Sequence, residues 1–241
     1  VISPQQVAAV VPCLNEARGI GALVEQVKGF LPRVIVVDDG STDDTASVAR
    51  LAGARVLRHG RNLGKGAAVD TGLRDAWNAG FEAAVLLDGD GQHDPNCIPA
   101  FLSRAGSTGA ELVAGNRMGQ AGAMPRVRRW VNRGMSAEIS RLAGLALPDT
   151  QCGFRLLNLR AWRALDFETR RFEVESEMIL RFARRGCRIA FVDIDVKPGA
   201  RRSHIRPLAD AVRWFRWRER ARSETRAAGR RPVARQAAAS C

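Results

Sequence analysis

Residues 81 to 95 read FEAAVLLDGDGQHDP, and their reading decides the fold. Ala83 to Leu87 is an unbroken apolar run of strand length, which suits a strand buried on both faces of a parallel sheet. It ends abruptly in acid. Asp88 and Asp90 stand two positions apart with only Gly89 between them, so an extended backbone would project both carboxylates to one side. Open α/β sheets bind ligands at the carboxyl ends of their strands. Two hard oxygen donors there suit a divalent cation, Mg2+ or Mn2+, that also holds phosphate oxygens. A solvated acidic turn is the competing reading, because a lone D-x-D is common, and the rest of the chain has to decide between them.

Working outward, strand-like and helix-like segments alternate. Val7 to Val11 is an apolar strand broken by Pro12. Ile20, Leu23, Val24, Val27 and Phe30 then recur at helical spacing, with Asn15 as the expected cap. Val34 to Val37 is a second strand, running into DDGSTDDT and a helix to about Leu51. Arg55 to Arg58 is a third strand, and GRNLGKGAA opens a helix to about Ala79. Beyond the acidic strand, a helix is expected from Pro95 to about Arg104 and a strand from Glu111 to Ala114 that leads into GNR. An arginine-rich helix through Met135, Ile139 and Leu142 follows, then a turn and strand in DTQCGFRLLN. A helix from Phe172 to Arg184 and a strand from Cys187 to Val196 complete the pattern. It reads as a mostly parallel, doubly wound α/β sheet with right-handed crossovers. A dinucleotide fingerprint is missing after the first strand, which reads PCLNEARGIG. A Walker loop fails too, since Gly60 to Gly64 is one residue short and Gly66 replaces the metal-binding hydroxyl.

Composition narrows the class. The chain has 241 residues, 46% of them hydrophobic, enough for a proper core. Its net charge of +13 is uneven: from Arg201 onward there are 12 arginines against Asp210, Glu219 and Glu224, so +9 belongs to the tail. The five cysteines are scattered and never spaced C-x-x-C, which fits reduced thiols in a cytoplasm and no structural zinc. No apolar run approaches the roughly 18 residues of a membrane span.

Taken together, PCLNE at 12 to 16, DDGSTDDT at 38 to 45, NLGKGAA at 62 to 68, DGDGQHDP at 88 to 95, GNR at 115 to 117 and DTQCGFR at 149 to 155 resemble the inverting family 2 glycosyltransferases of GT-A type. The likeness spans about residues 5 to 205 and is greatest to the dolichyl-phosphate mannose synthase group, which moves a hexose from a nucleotide sugar to a polyprenyl phosphate. The resemblance implies that Pro12, Leu14 and Glu16 contact the nucleotide, with Leu14 standing where the family usually has an aromatic. It implies that Val37 and Asp39 bracket the base and that Lys65 lies next to the diphosphate. Asp88, Gly89 and Asp90 match the metal and nucleotide loop, Gln92 a further metal position and Arg117 the arginine facing the diphosphate. His93 is read as a loop hydrogen bonder rather than a ligand. On the acceptor side the matching segment runs from Arg128 to Ser136, with Arg129, Arg133 and Ser136 as candidates. Asp149, Gln151 and Arg155 sit in the turn that shapes the sugar and acceptor side. A closing loop is matched by KPGARRSHIRP, where Arg202, Ser203 and His204 would clamp the donor and His204 replaces the family lysine.

The implied catalytic residues are therefore Asp88, Asp90 and Arg117, assisted by a divalent cation that opposes charge growing on the leaving nucleoside diphosphate. A phosphate acceptor is already anionic and needs no general base, whereas a hydroxyl acceptor would need a carboxylate such as Asp149, Glu175 or Glu177. Residues 1–205 are expected to form the catalytic domain, 206–226 a basic amphipathic helix and 227–241 a disordered tail. The helix carries Trp214, Phe215 and Trp217 among arginines, so it suits either an anionic membrane surface or packing on the catalytic body. A cytoplasmic enzyme, peripheral on the inner face of the plasma membrane, is the expectation. No nucleic acid is expected as a partner, because no recognition motif accompanies the charge.

Overall fold

The computed structural model describes residues 2–119, 126–169, 171–195 and 207–227. Within them, the strands β1 (Val7–Cys13), β2 (Arg33–Asp38), β3 (Arg55–Arg58), β4 (Ala83–Leu86), β5 (Leu112–Asn116), β6 (Arg155–Asn158) and β7 (Ile189–Asp193) form one sheet. Their order is β3-β2-β1-β4-β6-β5-β7. Neighbouring strands run parallel except at β6, which is antiparallel to both β4 and β5. The carboxyl ends of β1, β2, β4 and β5 therefore share one edge, and the reversed β6 brings its amino end, Arg155, to that same edge.

The helices are α1 (Ile20–Lys28), α2 (Thr45–Leu51), α3 (Lys65–Asn78), α4 (Ile98–Thr108), α5 (Arg126–Ala143), α6 (Leu159–Arg163), α7 (Val174–Arg184) and α8 (Pro207–Ala227). Alternate residues of β1 serve opposite faces of the sheet. Ala8 and Val10 join a core with α3, α5, α6, α7 and α8, while Val7, Ala9 and Val11 join one with α1, α2 and α4. This is the doubly wound architecture expected from the alternation. The packing against α3 is close: a Cβ on Gly72 would meet Val10 Cγ1 at 2.4 Å and Val37 Cγ2 at 3.1 Å. That approach carries the first residue of α3, Lys65, to the edge where the strands end.

Several local expectations change. β1 continues through Pro12, because the Val10 carbonyl accepts from Leu87 on the β4 side and Pro12, two residues on, faces that side beyond the end of β4. Asn15 does not cap α1, whose N-cap is Gly19. It takes a positive φ of 56°, and its side-chain oxygen accepts from the Thr42 amide at 2.8 Å, tying the loop after β1 to the loop after β2. The short helix α6 carries no periodic apolar run and is not expected from pattern; Asn158 caps it. Before α4, residues Pro95–Cys97 form a 3₁₀ turn capped by Asp94.

Helix α8 lies on the body. Trp214, Trp217 and Ala221, spaced i, i+3 and i+7, are buried in the core beneath it, and Trp214 Nε1 donates to Ser176 Oγ at 3.1 Å. Arg184 reaches Glu224 and the Ala221 carbonyl, both at 2.6 Å, so α8 runs alongside α7. The two tryptophans thus take the packing alternative, while Phe215 stays exposed. No helix among the described residues is long and apolar enough to cross a membrane. Replacing Trp214 by Ala removes a buried indole and its hydrogen bond, and should lower stability by about 3 kcal/mol. That corresponds to a fall in Tm of about 6–12 °C, measurable by calorimetry.

Candidate active site

The acidic stretch leaves the strand before its carboxylates appear. β4 ends at Leu86, so Asp88 and Asp90 lie in a turn and do not project from an extended strand. Gly89 lets this turn lie on β1, since a Cβ there would meet Cys13 Cβ at 2.7 Å. Gly153 does the same from the other side: its Cβ would stand 2.5 Å from Asp88 Oδ2. The two carboxylates have different surroundings. Asp90 Oδ1 accepts from the Gln92 amide at 3.0 Å, and no ion pair to Asp90 is found among the described residues.

Asp88 is engaged. Lys65 Nζ lies 2.5 Å from Asp88 Oδ1 and 2.5 Å from Glu175 Oε1, so one ammonium joins α3, the loop after β4 and the first turn of α7. His93, buried against Phe154 at a ring-centroid distance of 5.4 Å, faces Asp88 with Nε2 3.5 Å from Oδ2. Burial alone would raise the Asp88 carboxyl, but Lys65 and His93 together hold it well below the usual carboxylate range. Burial likewise opposes the Lys65 charge, and Asp88 and Glu175 more than restore it. Pro12, Val69 and Gly153 join these groups around a narrow cavity. The second oxygen of Glu175 is buried there without a hydrogen-bond partner.

After β2, Asp39 is buried and organises the loop that follows β3. Its Oδ1 is 2.7 Å from His59 Nδ1 and accepts from the Leu63 amide at 2.9 Å, while Oδ2 accepts from the Gly64 amide at 2.8 Å. Gly40, at φ +80°, permits this closure, because a Cβ would stand 2.6 Å from the Arg61 backbone. Glu16 is buried, and its amide donates to Thr45 Oγ1 at 2.8 Å; Leu14 is half-buried. Val37 differs from the expectation of a base contact: it has no exposed surface and packs in the core against α3.

At the end of β5, Arg117 is buried and forked onto Asp149, with Nε–Oδ2 at 2.7 Å and Nη2–Oδ1 at 3.0 Å. Burial opposes its charge, and Cys152, Asp149 and Asp88 more than compensate. The Asp149 carboxyl, raised by burial, is brought below its ordinary value by the same pair. Ser136 is buried and accepts from the Thr150 amide at 2.9 Å, which ties the turn to α5. Gln151 reaches Ser176 Oγ at 2.8 Å.

Arg155 does not open toward an acceptor as expected. It is 1% exposed, and its guanidinium donates to the carbonyls of Cys152, Glu175 and Thr150 at 2.8, 2.8 and 2.9 Å. It therefore positions the turn and the start of α7. Glu177 is also internal, accepting from the amides of Glu168 and Thr169 at 3.0 and 2.9 Å. Arg129 donates to the Met118 carbonyl at 3.1 Å, and Arg133 is exposed. Arg128 stands within electrostatic reach of Arg117, Asp90 and Asp88, so α5 adds a cation at the rim that spacing alone did not single out. Arg202, Ser203 and His204 lie outside the described residues.

With one carboxylate not ion-paired, a second already balanced by lysine, and arginines at the rim, the site can take a polyanion together with a cation. Comparison with known proteins agrees. The sequence profile of "Glycosyl transferase family 2" matches residues 8–165. The chain is 30% identical over 202 residues to undecaprenyl-phosphate mannosyltransferase of Micrococcus luteus, covering 78% of this chain and 82% of that one. It is 28% identical over 194 residues to UDP-N-acetylglucosamine--dolichyl-phosphate N-acetylglucosaminyltransferase of Methanococcus voltae, covering 71% and 77%. Among solved structures, it superposes with a TM-score of 0.69 on glucosyl-3-phosphoglycerate synthase of Mycobacterium tuberculosis in complex with Mn2+, UDP and glucosyl-3-phosphoglycerate. Sequence identity there is 25%, covering 92% of this chain and 80% of that one.

Lys65→Met removes the ammonium that joins Asp88 to Glu175 and leaves Asp88 with His93 as its nearest partner, at a cost of about 3 kcal/mol at neutral pH. In the wild type, Asp88 is depressed, so its contribution is present above about pH 4 and lost as pH falls further. In the variant Asp88 loses the larger part of what holds it ionised, so the deficit should be largest near neutrality and shrink as pH falls through about 4. Thermal melts of both proteins across that range check the sign.

Proposed function

Since the chain belongs to glycosyl transferase family 2 and is a glycosyltransferase, we propose that it moves a hexosyl unit from a UDP or GDP sugar to a polyprenyl phosphate, inverting the anomeric carbon. The observation that carries this reading is the state of the three carboxylates that could serve a hydroxyl acceptor as base. Asp149 is forked by Arg117, Glu175 is paired with Lys65 and Glu177 holds a loop. A carboxylate held ionised by a cation is a poor proton acceptor. A phosphate oxygen needs no proton removed, and relatives named for polyprenyl-phosphate acceptors agree with that chemistry.

In this reading the loops after β1 and β2 seat the nucleotide, with Glu16 and Asp39 holding their shape. Asp90, with Gln92 beside it, would hold a divalent cation. The donor set fits: Mg2+ and Mn2+ accept one or two carboxylates when phosphate oxygens and water complete the shell. When bound, that ion opposes the negative charge that grows on the leaving diphosphate. Lys65 keeps Asp88 ionised and fixed beside the donor, and the buried free oxygen of Glu175 accepts a hydroxyl of the hexose. Arg117, held flat by Asp149, presents fixed positive charge that opposes the same growing charge. Arg128, Arg129 and Arg133 on α5 draw in the acceptor phosphate. The enzyme would work peripherally on the inner face of the plasma membrane. A second reading, the same donor with a hydroxyl acceptor, is favoured by the likeness to glucosyl-3-phosphoglycerate synthase.

Incubating the full chain with radiolabelled UDP- and GDP-hexoses, Mn2+, and either a polyprenyl phosphate or its alcohol separates the two. Label should enter the phosphate alone, and transfer only to the alcohol would sink the proposal. Asp90→Asn should reduce kcat/KM by about 10²-fold or more. Its Tm should hold within about 2 °C, because the side chain makes a single loop hydrogen bond.

A further inference from the structure

Helix α5 carries apolar side chains on two faces. Its inner face buries Ser136, Ile139, Leu142 and Ala143. Its outer face, in the first two turns, carries large apolar side chains in the open: Val127 is 77% exposed, Trp130 79% and Val131 44%. These residues and Gly134 stand at i, i+3, i+4 and i+7, so they form one stripe. Exposed Arg128 and Arg133 border it, and residues 126–134, RVRRWVNRG, contain no acid. A solvent-facing tryptophan between arginines is costly in water and common where an apolar body meets a charged headgroup layer. The arginine-rich tail, by contrast, keeps Trp214 and Trp217 inside the protein.

We propose that this face of α5 is the membrane-docking surface, with Trp130 and Val127 seated at headgroup level of an anionic bilayer. The proposal rests on the glycosyltransferase reading for its purpose and on the exposed stripe for its location. Charge decides the occupant. A second copy of the same face would set arginine against arginine. Residues 228–241 would do the same, since they carry Arg230, Arg231 and Arg235 and no acid. An anionic lipid surface attracts each basic residue near it. Docked there, α5 presents Arg128, which feels the charges of Asp88 and Asp90, at the lipid phosphates. The mouth of the site then meets a lipid-borne acceptor without any span crossing the bilayer.

Co-sedimentation of the full chain with phosphatidylcholine vesicles, with and without about 30% phosphatidylglycerol, tests this. The wild type should bind the anionic vesicles and leave the neutral ones. Val127→Ser with Trp130→Ser should weaken binding about tenfold, and Trp130→Phe alone should keep most of it. Val212→Ser with Phe215→Ser, which alters exposed apolar residues of α8, should change it little. Turnover of a short, water-soluble polyprenyl phosphate should be unchanged in the V127S/W130S protein, while turnover of a long-chain acceptor in vesicles falls with its binding. Failure of the wild type to bind, equal binding to neutral vesicles, or a loss as large in V212S/F215S as in V127S/W130S would overturn the assignment. If no polyprenyl phosphate is glycosylated yet binding follows Trp130, the function reading fails and the docking surface stands.

Discussion

The site depends on a single ammonium. Lys65 is the first residue of α3, where the helix dipole disfavours a positive charge, and its carbon chain is largely enclosed. Two carboxylates offset both penalties: Asp88 from the loop after β4 and Glu175 from the first turn of α7, where the dipole favours an acid. All three groups are partly shielded from water, so the ammonium and the two carboxylates stabilise one another. Together they fix the relative placement of the loop, the helix that packs on β1, and the helix behind the acceptor turn. Asp90 is left outside this arrangement, which is why the two neighbouring acids of one motif have different chemistry to offer.

The reversed strand supplies the second half of the cleft. Because β6 runs against β4 and β5, the turn that precedes it, Asp149 to Phe154, stands on the same sheet edge as the acidic loop. Arg155 anchors that turn from below through the carbonyls of Cys152 and Thr150 and ties it to α7 through that of Glu175, and Ser136 anchors it from α5. Arg117, at the end of β5, closes the group by pairing with Asp149. A planar guanidinium gripped on two sides loses little freedom when a polyanion arrives. This half of the cleft is thus built from residues whose polar atoms are mostly satisfied within the protein. Its open charges are confined to the rim on α5.

Charge and apolar surface are distributed against the simplest expectation from composition. Most of the net positive charge lies beyond residue 200, yet the described part of that region packs on the body, Arg222 reaching Glu138 and Arg213 reaching Glu173. The open tryptophan lies on a different helix, next to the site. A basic, aromatic segment has two physical outlets, a protein core or an interface, and neighbouring surfaces decide between them. Ser176 offers Trp214 a hydrogen-bond partner and α7 an apolar seat, whereas Trp130 stays open among the described residues.

The sequence by itself determined the layers and the edge. The unbroken apolar runs of β1 and β4, the apolar stripe of α1 and the glycine–acid punctuation after β1, β2 and β4 are local signals, and each survives in the fold. The resemblance carried by those motifs, rather than any local pattern, is what suggested Lys65, Arg117 and the acidic loop as one site, and the fold brings them to one edge of the sheet. The tertiary structure alone decided what each polar group is committed to. Strand direction at β6, the pairing of Lys65 with Glu175, the fork of Arg117 on Asp149 and the internal roles of Arg155, Val37 and Glu177 all join segments tens of residues apart. Spacing along a chain reports which face a side chain takes on its own element; which partner meets that face is fixed only when the elements pack.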